Sequence, residues 1–443
     1  MFARAARAGQ RLWRLTQGPI ARSSIALLAL RLVNIGLMFG VSVGLARVLG
    51  AEHYGVFAFG FALVTIVEIV VRLGFAEYLT KQIPVYDVQG RPDLRAGLVR
   101  RAYQLTVLAA LLAIALWAAG WALKPPVLEP RLWQAGLVAM LALPFFALTQ
   151  LAAGEFRGHD RAALGRVPNG LVYPAAFLAL ATAGWLGLPP ERQTGINALY
   201  AFAAANAVAA LAVLVLRRRH ALGRAGAAAA VQTRAWLGEA LPYLMVSALI
   251  VMLLQLDVLL LGALKGPELT GLYQPATRIA MLTSFILTVI NQPLAPRVSR
   301  LFKEGQRAPL QRILHMASLT ATLSALPVVL VLGLAAPHVL SLFGAEFTAA
   351  STALLILIAG QLVNAVTGPC NLLLSMTGHQ ATTARIMAGA VGVNLALNLA
   401  LIPRFGIEGA AVATMLSTLT YCSISTWAGW RLTGLKATFL LGR

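Results

Sequence analysis

Apolar runs of about twenty residues, each nearly free of charge, recur from one end of the chain to the other. A helix rising about 1.5 Å per residue needs that length to cross a hydrocarbon core about 30 Å thick. Windows of about nineteen residues place spans near 25–47, 54–73, 103–123, 132–152, 169–188 and 197–216, then near 240–263, 273–294, 313–335, 350–374, 382–402 and 409–430. With 59% of 443 residues hydrophobic and 12% charged, against roughly one quarter charged in a soluble domain, no water-soluble core accommodates the sequence. The expectation is an all-α integral membrane protein of about twelve transmembrane helices.

The net charge of +21 would raise the question of nucleic acid in a soluble protein. Here the cations alternate in position, as they do when cytoplasmic loops retain Lys and Arg. Arg91, Arg95, Arg100 and Arg101 fall on one side, with Arg157, Arg161 and Arg166, then Arg217, Arg218 and Arg219, then Arg297, Arg300 and Lys303. The other side keeps isolated cations such as Arg47, Arg131 and Lys265. An even number of spans with both termini cytoplasmic satisfies this pattern, and the bacterial inner membrane is the expected location. Trp117, Trp121, Trp133 and Trp185 fall at outer ends, and Trp236, Trp427 and Trp430 at inner ends, where indole rings anchor to headgroups. Arg4, Arg7, Arg11 and Arg14 recur at helical spacing before the first run, as in a surface helix or a basic tail; no cleavage site follows, so span 1 is read as uncleaved.

An internal repeat divides the chain. Leu45, Gly50, Glu52, Gly55 and Phe57 after span 1 correspond to Leu261, Gly266, Glu268, Gly271 and Tyr273 after span 7, each pair 216 positions apart. Two six-helix bundles in parallel orientation around a central cavity are expected. The domains read as a cytoplasmic basic segment 1–24, an N-terminal lobe 25–216, a cytoplasmic linker 217–239, a C-terminal lobe 240–430 and a cytoplasmic tail 431–443.

No phosphate-binding GxxxxGK[ST] loop, HExxH or GxSxG motif is present, and no cofactor or metal is expected. Cys370 and Cys422 lie in apolar segments without metal-ligand spacing. Chemistry therefore rests on the few charges inside spans, Arg31, Glu68, Asp257 and Arg278. Each costs about 2.5–3.5 kcal/mol at mid-helix on insertion scales and is expected to face an interior. Arg31 and Arg278 are the candidate substrate-binding groups, and Asp257 and Glu68 the candidate gating or ion-coupling groups. The bland alternative is snorkelling for the arginines and a local pair with Arg72 for Glu68. Asp257 and Arg278 flank the turn at Lys265 at similar depth, so an ion pair between them is expected when the cavity is closed to the outside. Gly36, Gly40 and Gly44 stand at GxxxG spacing, which permits close helix contact.

Four stretches, LARVLGAEHYGVFAFG, DVLLLGALKGPELTGLYQPATRIA, LLLSMTGHQ and NLALIPRFGIEGAAVAT, occur in order along the chain. Together they resemble the polysaccharide transporter, or Wzx-type flippase, family of the multidrug/oligosaccharidyl-lipid/polysaccharide exporter superfamily. The resemblance implies two six-helix bundles that open a cavity alternately to each side. It implies as cargo a polyprenyl-pyrophosphate-linked oligosaccharide, with polysaccharide polymerase and glycosyltransferases as further partners. Arginines suit a pyrophosphate because the guanidinium fork binds phosphate oxygens bidentately. The superfamily's lipid II flippases use arginines in the first and eighth helices, which here hold Arg31 and Arg278. The chain lacks the two extra C-terminal helices of that branch, which counts against a peptidoglycan precursor. An ion-coupled multidrug antiporter is the nearest rival; it would need cavity acids. A membrane glycosyltransferase or polymerase would need a sizeable outer catalytic loop.

Overall fold

A computed structural model describes residues 19–123, 128–187, 189–220 and 230–441, so the basic segment before Pro19 and the middle of the linker lie outside the described residues. Helix α1 (Pro19–Val71) bends at Gly50 and supplies spans 1 and 2. After α2 (Phe75–Val88), α3 (Pro92–Ala122) forms span 3, and α4 (Pro130–Leu141) with α5 (Leu143–Gly158) forms span 4. Those two segments are inclined 44° at a break beside Pro144, whose missing N–H interrupts the ladder. Span 5 combines α6 (Ala162–Val167), a π-turn over Pro168–Val172 and α7 (Tyr173–Gly187); α8 (Gly195–Arg219) is span 6.

Spans 7, 8 and 9 are α9 (Thr233–Lys265), α10 (Pro267–Lys303) and α11 (Arg307–Leu334). The short α12 (Ala336–Ser341) precedes span 10, α13 (Ser351–Thr367), and α14 (Cys370–Met376) follows it. Finally α15 (Gln380–Thr433) bends at Gly406 and supplies spans 11 and 12. Twelve crossings in two bundles result. Span 10 is shorter than the sequence suggests, because Gly368 takes φ 66° and Pro369 follows, so the helix stops before the expected end at 374.

The repeat acquires a physical meaning in the turns. Gly50 (φ 68°, ψ 173°) and Gly266 (φ 87°, ψ 179°) adopt the same conformation, which a Cβ would strain, and each joins two antiparallel spans. Five residues on, Gly55 and Gly271 meet the opposite repeat reciprocally. A Cβ at Gly55 would lie 1.7 Å from the Pro267 carbonyl oxygen, and one at Gly271 would lie 1.8 Å from that of Ala51. Ala51 and Pro267 are themselves 216 positions apart, so the contact repeats across a pseudo-twofold axis between spans 2 and 8. The same face is closed by Arg47 Nε donating to the Leu342 carbonyl at 2.6 Å and Ala51 N–H donating to Glu346 Oε1 at 2.8 Å.

At the face carrying the basic loops, α2 was not anticipated as a helix. Its Tyr78 Oη donates to Glu239 at 3.1 Å, and Tyr86 Oη accepts from Trp236 Nε1 at 2.9 Å. Trp236 is only 1% exposed, which corrects its reading as a headgroup anchor: Phe75, Tyr78 and Tyr86 share one buried cluster with it. The GxxxG expectation also fails in part. Nothing lies within 4 Å of a Cβ at Gly36 or Gly40, and only Gly44 meets a neighbour, Trp185. Residues after Thr433 pack back onto the bundle, where Thr438 Oγ1 donates to the Val366 carbonyl at 2.8 Å beside the break in span 10.

Candidate functional site

A cavity of about 580 Å³ lies between the two bundles. Spans 1, 2, 4, 5 and 6 form most of its wall, and span 8 contributes Gln274, Arg278, Met281 and Leu282. Among the described residues three arginines line it, Arg31, Arg166 and Arg278, and none of the acidic side chains does. Arg31 stands 19 residues before Gly50, about 28 Å along its helix from the closed turn, and Arg278 stands 12 residues after Gly266, about 18 Å. The cations are therefore staggered along the membrane normal.

Arg31 and Arg166 share the end nearer the basic face. Between them runs an amide chain: Asn34 Nδ2 donates to the Asn169 carbonyl and Asn169 Nδ2 to Gln150 Oε1, each at 3.3 Å. Deeper, the wall turns aromatic. Phe57 stacks on Phe177 at 5.8 Å, and Phe61 meets Phe202 edge-on at 5.7 Å. Arg278 lies 5.0 Å over the Phe61 ring, a cation–π contact across the two repeats. With the Gln274 amide oxygen turned toward it, Arg278 also donates from Nε and Nη2 at 3.3 Å. Both contacts leave the guanidinium in the cavity.

Asp257 is elsewhere. It lines a separate pocket of about 290 Å³ inside the second bundle with Thr277, Gln361, Asn364, Thr414 and Tyr421. Its carboxylate accepts from Tyr273 Oη at 2.8 Å, Thr414 Oγ1 at 3.2 Å and the Val258 N–H at 2.8 Å. The expected Asp257–Arg278 ion pair is not formed. Depth agrees but face does not, because Arg278 follows Tyr273 by five residues and so points about 140° away round the helix from the residue that holds Asp257. At the equivalent positions of the first repeat stand Val41 and Phe57, each 216 residues earlier, so only one bundle has this acid–phenol pair.

Glu68 does not line the cavity. It is 2% exposed and pairs with Arg72 Nε at 2.5 Å one turn later, the local partner visible in the sequence. Sequence reasoning missed Arg166, assigning it to a basic loop. The apolar window placed span 5 from 169, whereas the helix starts at Ala162. Arg166, Asn169, Tyr173 and Phe177 follow one helical stripe, and that periodicity was the available signal.

A family profile described as polysaccharide biosynthesis protein matches residues 20–302, and a second, MatE, matches 242–400. Among curated proteins, "Probable flippase AglR" of Haloferax volcanii is 31% identical over 167 residues, covering 37% of this chain and 35% of the relative. "Probable low-salt glycan biosynthesis flippase Agl15" of the same organism is 28% identical over 163 residues, covering 37% and 34%. The chain thus aligns with about a third of either relative's length. The structure resembles an inward-facing multidrug resistance MATE family transporter of the MOP superfamily, with TM-score 0.72 and 15% identity over 91% of this chain and 98% of that one. It also resembles the lipid II flippase MurJ in an inward closed conformation, with TM-score 0.67 and 12% identity over 92% and 87%. At such identities the likeness establishes the fold.

Proposed function

The chain belongs to the polysaccharide biosynthesis protein family, and from that premise we propose that it flips a polyprenyl-pyrophosphate-linked oligosaccharide from the cytoplasmic to the outer leaflet by alternating access during surface-glycan assembly. The observation that carries this reading is a central cavity lined, among the described residues, by three arginines and no acid. A pyrophosphate headgroup removed from water needs cationic donors, and arginine supplies several in a fixed fork. A cationic drug would meet repulsion there, which disfavours the antiporter reading. Arg31 and Arg166 take the headgroup from the side of the basic loops, and Arg278 takes it deeper. The amides and the aromatic wall face the sugars, whose polar edges and apolar faces they complement.

In this reading the basic face and both termini are cytoplasmic, and the side closed by Gly55 and Gly271 is the outer one. Asp257, set apart from the arginines among hydroxyls and amides, is the group that binds the coupling proton or cation. Glu68 holds the end of span 2 through Arg72 instead of gating. The test is flipping of a fluorescent polyprenyl-pyrophosphate oligosaccharide in vesicles. Arg31→Gln, Arg166→Gln and Arg278→Gln should each abolish it in protein that still folds. Undiminished flipping in all three would overturn the reading.

A further inference from the structure

The lining of the cavity changes character in one-turn steps. Arg31 and Asn34 stand three residues apart on span 1, and Arg166 and Asn169 three apart on span 5. Each arginine therefore has an asparagine on the same helix face, about 4.5 Å nearer the closed face of the protein. Gln150 of span 4 completes the amide level, and Phe146, one turn outward of it, begins the aromatic wall. Guanidiniums, amides and rings follow one another along the membrane normal.

The amide level is assembled without using up its hydrogen-bonding groups. Tyr173 N–H bonds to the Pro168 carbonyl across the π-turn, and Pro174 has no N–H, so neither serves the Asn169 carbonyl, which accepts from Asn34 Nδ2 instead. Asn169 Nδ2 in turn donates to Gln150 Oε1. Among the described residues no hydrogen bond engages Asn34 Oδ1, Asn169 Oδ1 or Gln150 Nε2, and each of those atoms keeps surface open to solvent. Their side chains are half-buried cavity lining, not sealed core. The row thus offers two acceptors and a two-proton donor to a ligand held by the neighbouring arginines.

We infer that this amide row is a sugar subsite: Asn34, Asn169 and Gln150 bind the polar substituent on carbon 2 of the first sugar of the cargo, while Arg31 and Arg166 hold the phosphate attached to that sugar. The phosphate sits on the anomeric carbon, and carbon 2 is its neighbour in the ring. Its substituent therefore lies a short step from the phosphate, as the amides lie one helical turn from the guanidiniums. A hydroxyl or acetamido group at that carbon both donates and accepts, which matches a row carrying both kinds of group. The rest of the ring extends toward Phe146 and the aromatic wall. This inference rests on the pyrophosphate reading above and adds to it the residues that select the sugar.

The test uses the full-length protein purified in nanodiscs, with farnesyl pyrophosphate, farnesyl pyrophosphoryl glucose and farnesyl pyrophosphoryl 2-deoxyglucose as probes. Wild type should bind the glucose probe about ten- to hundred-fold more tightly than the 2-deoxy probe, which leaves the amides unmatched. In Asn34→Leu and in Gln150→Leu that ratio should fall to about one. The ratio is the readout because amides that merely tie spans 1, 4 and 5 together would weaken both sugars alike when replaced and leave their ratio intact. Wild-type protein that does not distinguish the two sugars overturns the inference without any variant, and variants that keep the wild-type ratio overturn it as well. If farnesyl pyrophosphate binds and Arg31→Gln loses it, but the two sugars bind equally, the inference falls and the cationic-cavity reading stands. If wild type binds none of the probes, both readings fall together.

Discussion

Gly271→Ala should push the protein toward the state in which the face closed by spans 2 and 8 is open. The added methyl would sit 1.8 Å from the Ala51 carbonyl oxygen and 2.9 Å from the Gly55 nitrogen. An unstrained carbon needs about 3.4 Å, so the two spans must part by about 1.5 Å. Neither obstacle is a flexible side chain; both are backbone held inside helices. Overpacking of this kind costs about 1–3 kcal/mol, and it falls only on the conformation in which the contact exists. The equilibrium should therefore move about five- to 150-fold toward the open form. A cysteine at Ser42, which lines the cavity beneath the seal, reports this by labelling with a membrane-impermeant maleimide applied to that face. Native Cys370 and Cys422 are buried and give a low background. Gly55→Ala should act in the same direction, because its Cβ meets the symmetry-equivalent carbonyl. Gly389→Ala, with nothing within 4 Å of its Cβ, serves as the neutral control. Labelling of Gly271→Ala at the control level in folded, active protein would refute the argument, as would opposite effects of the two reciprocal glycines.

Other outcomes follow from the same geometry. A double-mutant cycle in unfolding free energy on Asp257→Ala and Arg278→Ala should be additive within about 0.5 kcal/mol, since the groups do not touch, whereas Asp257→Ala with Tyr273→Phe should be coupled by more. Trp236→Ala should cost about 3–5 kcal/mol by the same measurement, and Trp427→Ala, at a residue 53% exposed, much less. Reporter fusions after Gln306 should prove cytoplasmic and those at Lys265 external; a cytoplasmic reporter at Lys265 contradicts the orientation.

The twelve crossings were legible in the sequence because membrane thickness acts on each segment by itself: a run of about twenty apolar residues must span whatever its neighbours do. The repeat was legible for a similar reason, since Gly50 and Gly266 answer to local backbone conformation. That Gly55 and Gly271 meet each other was not, because their partners lie 212 and 220 residues away, at Pro267 and Ala51. The arginines were found by their cost in a bilayer, but which of them share a space is a matter of helix rotation. A charge signals that it needs an interior; its sequence position does not say which one. Thus Arg31 and Arg278 came together in one cavity, Asp257 turned into another, and Glu68 into neither. Arg166 was concealed because the apolar window starts after it, whereas the helix of span 5 begins at Ala162 and continues through a π-turn over Pro168–Val172.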